Sequence, residues 1–265
     1  MDFLKRNLAP ITEKAWKELE GRSREIFKNK LRMRKVVDIE GPYGWEYSSY
    51  NLGSNELVDN PRDGLGWGIR KSLPLIEARN TFVLKQWELD NIERGCQTPD
   101  LEGLETAAKQ FAEFEDNIIL KGLERANIVG LQKVAKENLV KSSNRDLKVF
   151  IKSLSESKKR FMEQGIEGPY TLLINREIWE ELFSQNLSYP LDKLIEQIID
   201  TTVKPIHNLE QSFFISNRGG DFKLILGQDI SLGYQDKYEE DLKFFYTETF
   251  TFHILTPEAI IGLEL

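Results

Sequence analysis

The 265-residue sequence contains a single cysteine, Cys96, and two histidines, His207 and His253. One cysteine excludes an intrachain disulfide and any site that needs several thiolate ligands. The two histidines stand in unrelated sequence settings, so a histidine-rich metal site is excluded as well. The sequence therefore predicts no metal centre, and we expect His253 to have a structural role.

The sequence also lacks a long hydrophobic run and a surplus of basic residues. No uninterrupted apolar segment approaches the ~20 residues that cross a bilayer, and the first ten residues do not resemble a signal peptide. The 36 basic and 43 acidic side chains give a formal charge of -7, whereas proteins that coat nucleic acid usually carry a basic surplus. We therefore expect a soluble cytoplasmic protein that binds neither a membrane nor nucleic acid.

No set of residues suited to catalysis stands out. No serine or cysteine lies in a nucleophile elbow, and the segment Gly64-Leu-Gly-Trp-Gly68 lacks the Gly-x-Gly-x-x-Gly spacing of a dinucleotide loop. Glu113 and Glu115 belong to a predicted helix, and we expect both on its surface. The sequence predicts no catalytic residue, and we expect the chain not to be an enzyme.

The hydrophobic share of 40% and the charged share of 30% are typical of a globular domain. Thr12 is suited to cap a first helix, which must end before Gly41-Pro42. Pro99-Asp100 opens a longer helix of about 25 residues, a rod of roughly 40 Å. The other predicted elements are strands near 80–89, 170–175, 212–216, 222–226 and 242–254 and helices near 145–164, 176–183 and 191–199.

The last of these strands shows a clear alternation. Six even positions of this segment hold large apolar or aromatic residues, namely Leu242, Phe244, Tyr246, Phe250, Phe252 and Ile254. Thr247, Thr249, Thr251 and His253 occupy odd positions. A period of two residues is typical of a strand with one buried face. We therefore expect a long, half-buried strand in a fold that mixes helices and sheets.

The segment from Gly44 to Asn80 has a different composition from the rest. Five glycines interrupt it, and it holds the aromatic residues Trp45, Tyr47, Tyr50 and Trp67. It is too polar to form a core by itself and too aromatic for a disordered linker. The pattern favours an extended β-hairpin arm whose aromatic side chains are buried elsewhere, for example by a neighbouring subunit.

Several sequence blocks resemble those of the encapsulin family, the nanocompartment shell proteins also called linocin-type bacteriocins. The blocks are Phe3-Leu-Lys-Arg6, Ala9-Pro10, Glu40-Gly-Pro-Tyr-Gly-Trp-Glu-Tyr47, Arg70-Lys-Ser-Leu-Pro-Leu-Ile-Glu77, Trp87-Glu-Leu-Asp-Asn-Ile-Glu-Arg94, Glu113-Phe-Glu-Asp116, Gly165-Ile-Glu-Gly-Pro-Tyr170, Arg218-Gly-Gly-Asp-Phe-Lys-Leu-Ile-Leu-Gly-Gln-Asp229 and Thr247-Glu-Thr-Phe-Thr-Phe252. The resemblance runs essentially from end to end. It implies the α+β fold of tailed-phage major capsid proteins (HK type), with an N-terminal helix, an extended hairpin loop and a spine helix.

The resemblance also implies a division into domains and an assembly. Residues 1–43 would carry the N-terminal helix and the start of the peripheral domain, 44–80 the extended loop, 81–129 the peripheral domain with its spine helix, 130–216 the axial domain, and 217–265 the strands that return to the peripheral domain. About sixty copies, or a larger icosahedral number, would form a closed shell.

The family's shells enclose cargo enzymes, so the resemblance implies a role in iron storage or in the response to oxidative stress. The cargo would be a ferritin-like iron-storage protein or a dye-decolourising peroxidase, bound by its C-terminal targeting peptide. Two alternatives remain open at this point: a secreted bacteriocin or protease, as the older family name suggests, and a prophage capsid protein, since the fold is shared.

Three sets of site residues follow from the resemblance. The cargo-peptide groove would hold Ile26, Phe27, Leu31, Arg34, Asp38, Ile230 and Leu232. The pore at the five-fold axis would be lined by the uncharged residues Ser184, Gln185, Asn186, Leu187, Ser188 and Tyr189. Some family members bind a flavin on an aromatic side chain, which here would be Trp87, with Arg79 near the phosphate of the flavin (FMN). No cofactor is required for the shell itself.

Overall fold

The computed structural model of the protein describes residues 3–57, 66–142, 146–185, 190–199, 201–207 and 209–264. Its α-helices are α1 (Glu13–Lys30), α2 (Gln86–Glu93), α3 (Glu102–Lys121), α4 (Leu131–Glu137), α5 (Leu147–Glu163), α6 (Arg176–Ser184) and α7 (Leu191–Ile199). Its strands are β1 (Asp38–Glu40), β2 (Ser49–Leu57), β3 (Gly68–Pro74), β4 (Ile76–Lys85), β5 (Gly122–Leu123), β6 (Ile128–Val129), β7 (Leu139–Lys141), β8 (Tyr170–Asn175), β9 (Thr201–Ile206), β10 (Ser212–Ser216), β11 (Phe222–Tyr238), β12 (Asp241–Ile254) and β13 (Ile260–Glu264).

The first sheet has the order β1-β11-β12-β4, in which β1 is parallel to β11 and the other pairs are antiparallel. Helices α1 and α3 pack over one face, where Trp16 lies edge-on to Phe244 with ring centroids 5.7 Å apart. The other face of β12 is covered too, because Phe245 packs on Phe3 of the N-terminal segment. Thr247 and Thr251 are fully buried, so the prediction of a half-buried strand is wrong.

The second sheet has the order β7-β13-β10-β8-β9. Strands β8 and β10 occupy the residues predicted for them, and both are almost entirely buried. The C-terminal strand β13 pairs with β10 and β7 in this sheet. The assignment of all of 217–265 to the peripheral domain is therefore wrong for the last strand, which completes the sheet built from residues 130–216.

The region from β4 to α3 differs from the sequence expectation in two places. The predicted strand 80–89 begins earlier, at Ile76, and ends at Lys85, after which α2 follows directly. The spine helix α3 has 20 residues instead of about 25, because Gly122 ends it with a φ of +82°. A Cβ atom at that position would lie 2.4 Å from the carbonyl oxygen of Ile128, so only glycine fits there.

Strands β2 and β3 form the hairpin predicted within 44–80. Its far end is exposed in the single subunit: Leu57 is 76% exposed, Trp67 56% and Ile69 62%. Its base is not, because Trp45 packs on Phe3 with ring centroids 4.0 Å apart. Burial of the aromatic side chains by another molecule is therefore needed only for the outer part of the arm.

Candidate functional site

An open groove of about 640 Å³ lies between α1 and β11. One wall is α1 with the following turn 33–35, and the opposite wall is the stretch of β11 from Asp229 to Leu232. Tyr246 of β12 contributes to the groove, and Leu4 and Arg6 of the N-terminal segment line it as well.

Five of the seven residues predicted for the cargo-peptide site line this groove: Phe27, Leu31, Arg34, Ile230 and Leu232. Ile26 follows the same helix but does not line the groove. Like Phe27 and Ile230, it packs in part against the hydrophobic core. Asp38 lies away from the groove, where its Oδ2 accepts a hydrogen bond from the Gly220 backbone N–H at 2.6 Å. The structure thus brings most of the predicted set together and separates Asp38 from it.

The apolar part of the groove rests on a group of aromatic rings. Phe27 lies edge-on to Tyr246, with ring centroids 5.1 Å apart, and edge-on to Phe111 at 6.4 Å. The Tyr246 hydroxyl is hydrogen-bonded to the Ser23 hydroxyl at 2.6 Å, and burial raises the pKa of Tyr246. Phe27 is therefore a rigid wall, half covered by its own subunit and half open to an incoming side chain.

Arg34, which lines the groove, is held by three carboxylates. Its Nη2 lies 2.6 Å from Glu115 Oε2 and 2.6 Å from Glu248 Oε1. Its Nη1 donates to Asp229 Oδ1 at 2.9 Å. Although burial lowers it, the pKa of Arg34 is raised overall by these carboxylates. The guanidinium therefore ties helix α3 to strands β11 and β12 and fixes the position of the groove wall.

Burial favours the protonated form of one carboxyl group of this cluster, that of Glu248. Burial, together with the charge of Glu115, raises the pKa of Glu248 well above its ordinary value. No donor among the described residues reaches Glu248 Oε2, which as a carboxylate oxygen would then be buried without a hydrogen bond. A proton on Glu248 removes that cost, because the carboxyl group can then donate to Glu115. We infer that Glu248 is neutral near pH 7.

The prediction that Glu115 lies on the surface of its helix is wrong, because the residue is fully buried. Glu248 is fully buried as well. Each has a signal in the sequence. Glu115 lies four residues after Phe111 and three before Ile118, on the apolar stripe of α3. Glu248 occupies an even position in a strand whose other even positions are apolar. A charge at a core position predicts a buried partner, which here is Arg34.

The predicted pore residues fall mostly outside the described part of the chain, which omits Asn186, Leu187, Ser188 and Tyr189. Ser184 ends α6, and its hydroxyl donates to the Glu181 carbonyl at 2.7 Å. The Gln185 side chain accepts a hydrogen bond from the Leu147 N–H at 3.0 Å. The pore lining stays a prediction.

Trp87 and Arg79 are not brought together within one subunit. Trp87 lies in the first turn of α2, is 57% exposed and has the guanidinium of Arg94 5.1 Å from its ring centroid. Arg79 lies six residues before the end of β4, roughly 20 Å away along the strand. Its guanidinium sits 4.4 Å from the centroid of Phe245. A flavin on Trp87 would therefore need a phosphate partner other than Arg79 of the same subunit, or an extended pose.

The described residues offer neither a metal site nor a membrane-spanning helix. No group of three or more histidine, cysteine, aspartate or glutamate side chains there is arranged to hold a metal ion. None of the helices in that part of the chain is long and apolar enough to cross a membrane.

Comparison with known proteins gives similarities along nearly the whole chain. The family profile Linocin_M18, described as “Encapsulating protein for peroxidase”, matches residues 1–251. A protein named type 1 encapsulin shell protein from Rhodococcus erythropolis is 32% identical over 264 residues, covering 99% of this chain and 100% of its own. The protein of the same name from Rhodospirillum rubrum is 33% identical over 272 residues, covering 100% of this chain and 97% of its own.

Solved structures show the same fold at lower sequence identity. The virus-like particle from Pyrococcus furiosus matches with a TM-score of 0.63 and 16% identity, covering 92% of this chain and 98% of its own. The capsid of Myoviridae phage XM1 matches with a TM-score of 0.58 and 10% identity, covering 88% of this chain and 91% of its own. The predicted α+β capsid fold is confirmed.

Proposed function

The chain belongs to the encapsulin family of shell proteins, and from this premise we propose that its cage encloses a cargo enzyme held by that enzyme's C-terminal peptide. That it is a shell protein forming a capsid-like cage follows from its relatives and its fold. The proposal concerns what the cage contains and how the content is held. The groove between α1 and β11 is the docking site in this proposal.

The observation that carries the proposal is that apolar side chains line an open groove of about 640 Å³. Phe27 and Ile230 are only partly covered by their own subunit, so an extended peptide can bury them further. The volume is typical of a site for a small ligand or a few side chains. Each apolar peptide side chain that becomes fully buried contributes roughly 1.5–3 kcal/mol, so a short peptide binds weakly and an oligomeric cargo that engages several grooves binds tightly.

The exposed arm supports the assembly that the proposal requires. Leu57, Trp67 and Ile69 together expose large apolar side chains at the far end of the hairpin, and exposed apolar surface of this kind marks an interaction site. A contact between the arm of one subunit and the body of the next is heterologous, and such contacts close into a shell when the rotation is icosahedral. A shell of about sixty subunits, or a larger one, meets this condition.

The proposed cargo is a dye-decolourising peroxidase or a ferritin-like iron-storage protein, which gives the shell a part in oxidative stress or iron storage. The description of the family as encapsulating a peroxidase supports the first. In this proposal the chemistry belongs to the cargo and the shell itself is not an enzyme. The compartment would work in the cytoplasm.

Co-purification tests the proposal. The shell is co-expressed with a dye-decolourising peroxidase or a ferritin-like protein, with and without the last residues of that cargo, and the particles are isolated by size. We expect full-length cargo in the particles and truncated cargo outside them. Equal loading of the two forms would contradict the proposal.

A shell variant locates the docking site. Ile230→Asp places a charge in the apolar wall of the groove and should reduce loading at least tenfold while particles still form. Met162→Asp is the matched control, because Met162 is 66% exposed on α5 and lies outside the groove. Loading that is unaffected by Ile230→Asp would exclude the groove as the docking site.

A further inference from the structure

A second cavity, of about 380 Å³, lies between the turn that follows α1 and the edge of the second sheet formed by β8 and β9. Most of the residues that line it are polar. Thr171 of β8 is paired with Thr202 of β9, and Lys204 follows two residues later, so the three side chains lie on one face of the sheet. Lys35 of the turn lies on the opposite wall. This cavity is named here the polar pocket.

Two hydrogen bonds hold the walls of the polar pocket together. Lys204 Nζ donates to the backbone carbonyl of Lys35 at 2.9 Å. Asn217, which follows β10, donates through its Nδ2 to the next carbonyl along the chain, that of Val36, at 2.6 Å. Side chains of the second sheet thus hold two successive carbonyls of the turn, so the shape of the pocket is fixed before a ligand binds.

The ammonium group of Lys204 has no counter-ion among the described residues. Its contact with the Lys35 carbonyl uses one of its three N–H donors. Burial lowers the pKa of Lys204, and the nearby positive charge of Lys35 lowers it further. A half-buried cation beside a second cation is costly in free energy, and an anion held between the two would remove that cost.

The two carboxylates at the polar pocket are engaged by other groups. Asp221 accepts hydrogen bonds from Arg218 through both of its oxygens, each at 2.9 Å. Asp38 Oδ2 accepts from the Gly220 backbone N–H at 2.6 Å. Within the described part of the chain, neither carboxylate lies at ion-pair distance from Lys204. The charge of Lys204 is therefore left for an anion from solution.

The hydroxyl groups of Thr171 and Thr202 complete the set of donors. Neither hydroxyl is hydrogen-bonded to another of the described residues. A hydroxyl can donate to an oxyanion and can also accept from a protonated one. Two ammonium groups match the charge of a dianion, and lysine is a common ligand of phosphate. The cavity is larger than one phosphate group, so a small substituent on the phosphate also fits.

From this arrangement we propose that the polar pocket binds a phosphate group, either inorganic phosphate or the phosphate of a small ester. Lys204 and Lys35 balance its charge, and the hydroxyls of Thr171 and Thr202 orient its oxygens. The pocket shares Arg34 and Lys35 with the groove and otherwise differs from it. The inference does not depend on the function proposed for the groove. A bound phosphate would hold the turn more firmly against the second sheet and stabilise the folded chain.

Isothermal titration calorimetry on the purified protein measures the binding of sodium phosphate, with sodium chloride of the same ionic strength as the background. We expect one phosphate per chain. Lys204→Met should weaken binding about tenfold or more, because it removes a charged donor that contacts the ligand. Lys152→Met removes the same charge from an exposed position on α5, outside the pocket, and should leave the affinity unchanged. Circular dichroism shows whether each variant folds.

A second variant keeps the test decisive if Lys204→Met does not fold. Lys35 is exposed, so Lys35→Met should fold normally, and it should weaken phosphate binding severalfold. Glycerol 3-phosphate distinguishes the two sources of the phosphate group: tighter binding than that of inorganic phosphate indicates an ester, and equal or weaker binding indicates the free ion. Unchanged affinity in either folded lysine variant overturns the inference. The absence of binding by both phosphate compounds above the chloride background overturns it as well.

Discussion

Replacing Arg34 with methionine should be among the most destabilising single changes in the chain. The guanidinium lies 2.6 Å from carboxylate oxygens of both Glu115 and Glu248, and both side chains are fully buried. Methionine has a similar length but no charge, so the buried carboxyl groups of Glu115 and Glu248 would lose the cation that they share. Removing one partner of a buried ion pair costs about 3–5 kcal/mol of unfolding free energy.

The matched change Glu248→Gln should cost far less, about 1 kcal/mol or below. Because Glu248 is inferred to be protonated in the folded chain, glutamine replaces one neutral group with another of the same shape. Its amide oxygen can still accept from Arg34, and its amide nitrogen can donate to Glu115. The difference between the unfolding free energies of the two variants therefore shows whether Glu248 carries a charge in the cluster.

The assay is unfolding in guanidinium chloride at one fixed protomer concentration, since the stability of an oligomer depends on concentration. Far-UV circular dichroism at pH 7 gives the midpoint and slope for each variant. The reasoning is refuted if Glu248→Gln costs as much as Arg34→Met, because Glu248 would then be an ionised partner of Arg34. It is refuted as well if Arg34→Met costs less than 1 kcal/mol.

Three further predictions concern stability and assembly. Burial raises the pKa of Asp116 to about 6 from an ordinary 3.8, so protonation of this one group should contribute about 3 kcal/mol of stability as the pH falls from 7 to 3. Carboxylates whose pKa is lowered, such as Glu40 and Glu105, act in the opposite sense. Asp116→Asn should therefore remove the Asp116 contribution from the difference between the unfolding free energies at pH 7 and pH 3. Gly21→Ala should raise the free energy of unfolding by up to about 1 kcal/mol, because nothing lies within 4 Å of the new Cβ. Gly103→Ala should lower the free energy of unfolding, because its Cβ would lie 2.5 Å from a β4 carbonyl oxygen. Equal effects of the two substitutions would contradict this prediction. Ile69→Ser should reduce the yield of particles in size-exclusion chromatography without changing the circular dichroism of the subunit, and an unchanged yield would count against the arm as a contact.

The elements that could be predicted from the sequence are those whose start and end are determined by neighbouring residues in the chain. Strands β8 and β10 are short, apolar and bounded by turn residues, and they begin and end as expected. Helix α1 begins after its cap at Thr12, whose hydroxyl accepts from the Ala15 N–H at 3.2 Å. In each case the relevant interactions lie within a few residues along the chain.

The elements that could not be predicted depend on distant partners. Glu115 is buried because Arg34 lies beside it in the fold, 81 residues earlier in the chain. Strand β13 joins the second sheet because β10 and β7 leave a position open between them, which no local pattern near residue 260 reveals. The groove residues Phe27 and Ile230 came from resemblance, since helical periodicity alone would assign Phe27 to the core.

The most direct test of the account is a cryo-electron microscopy reconstruction of the purified protein. The account predicts hollow closed particles in which the hairpin 49–74 lies on a neighbouring subunit and that neighbour covers the side chains of Trp67 and Ile69. A hairpin folded back onto its own subunit, or protein that stays monomeric, would contradict it.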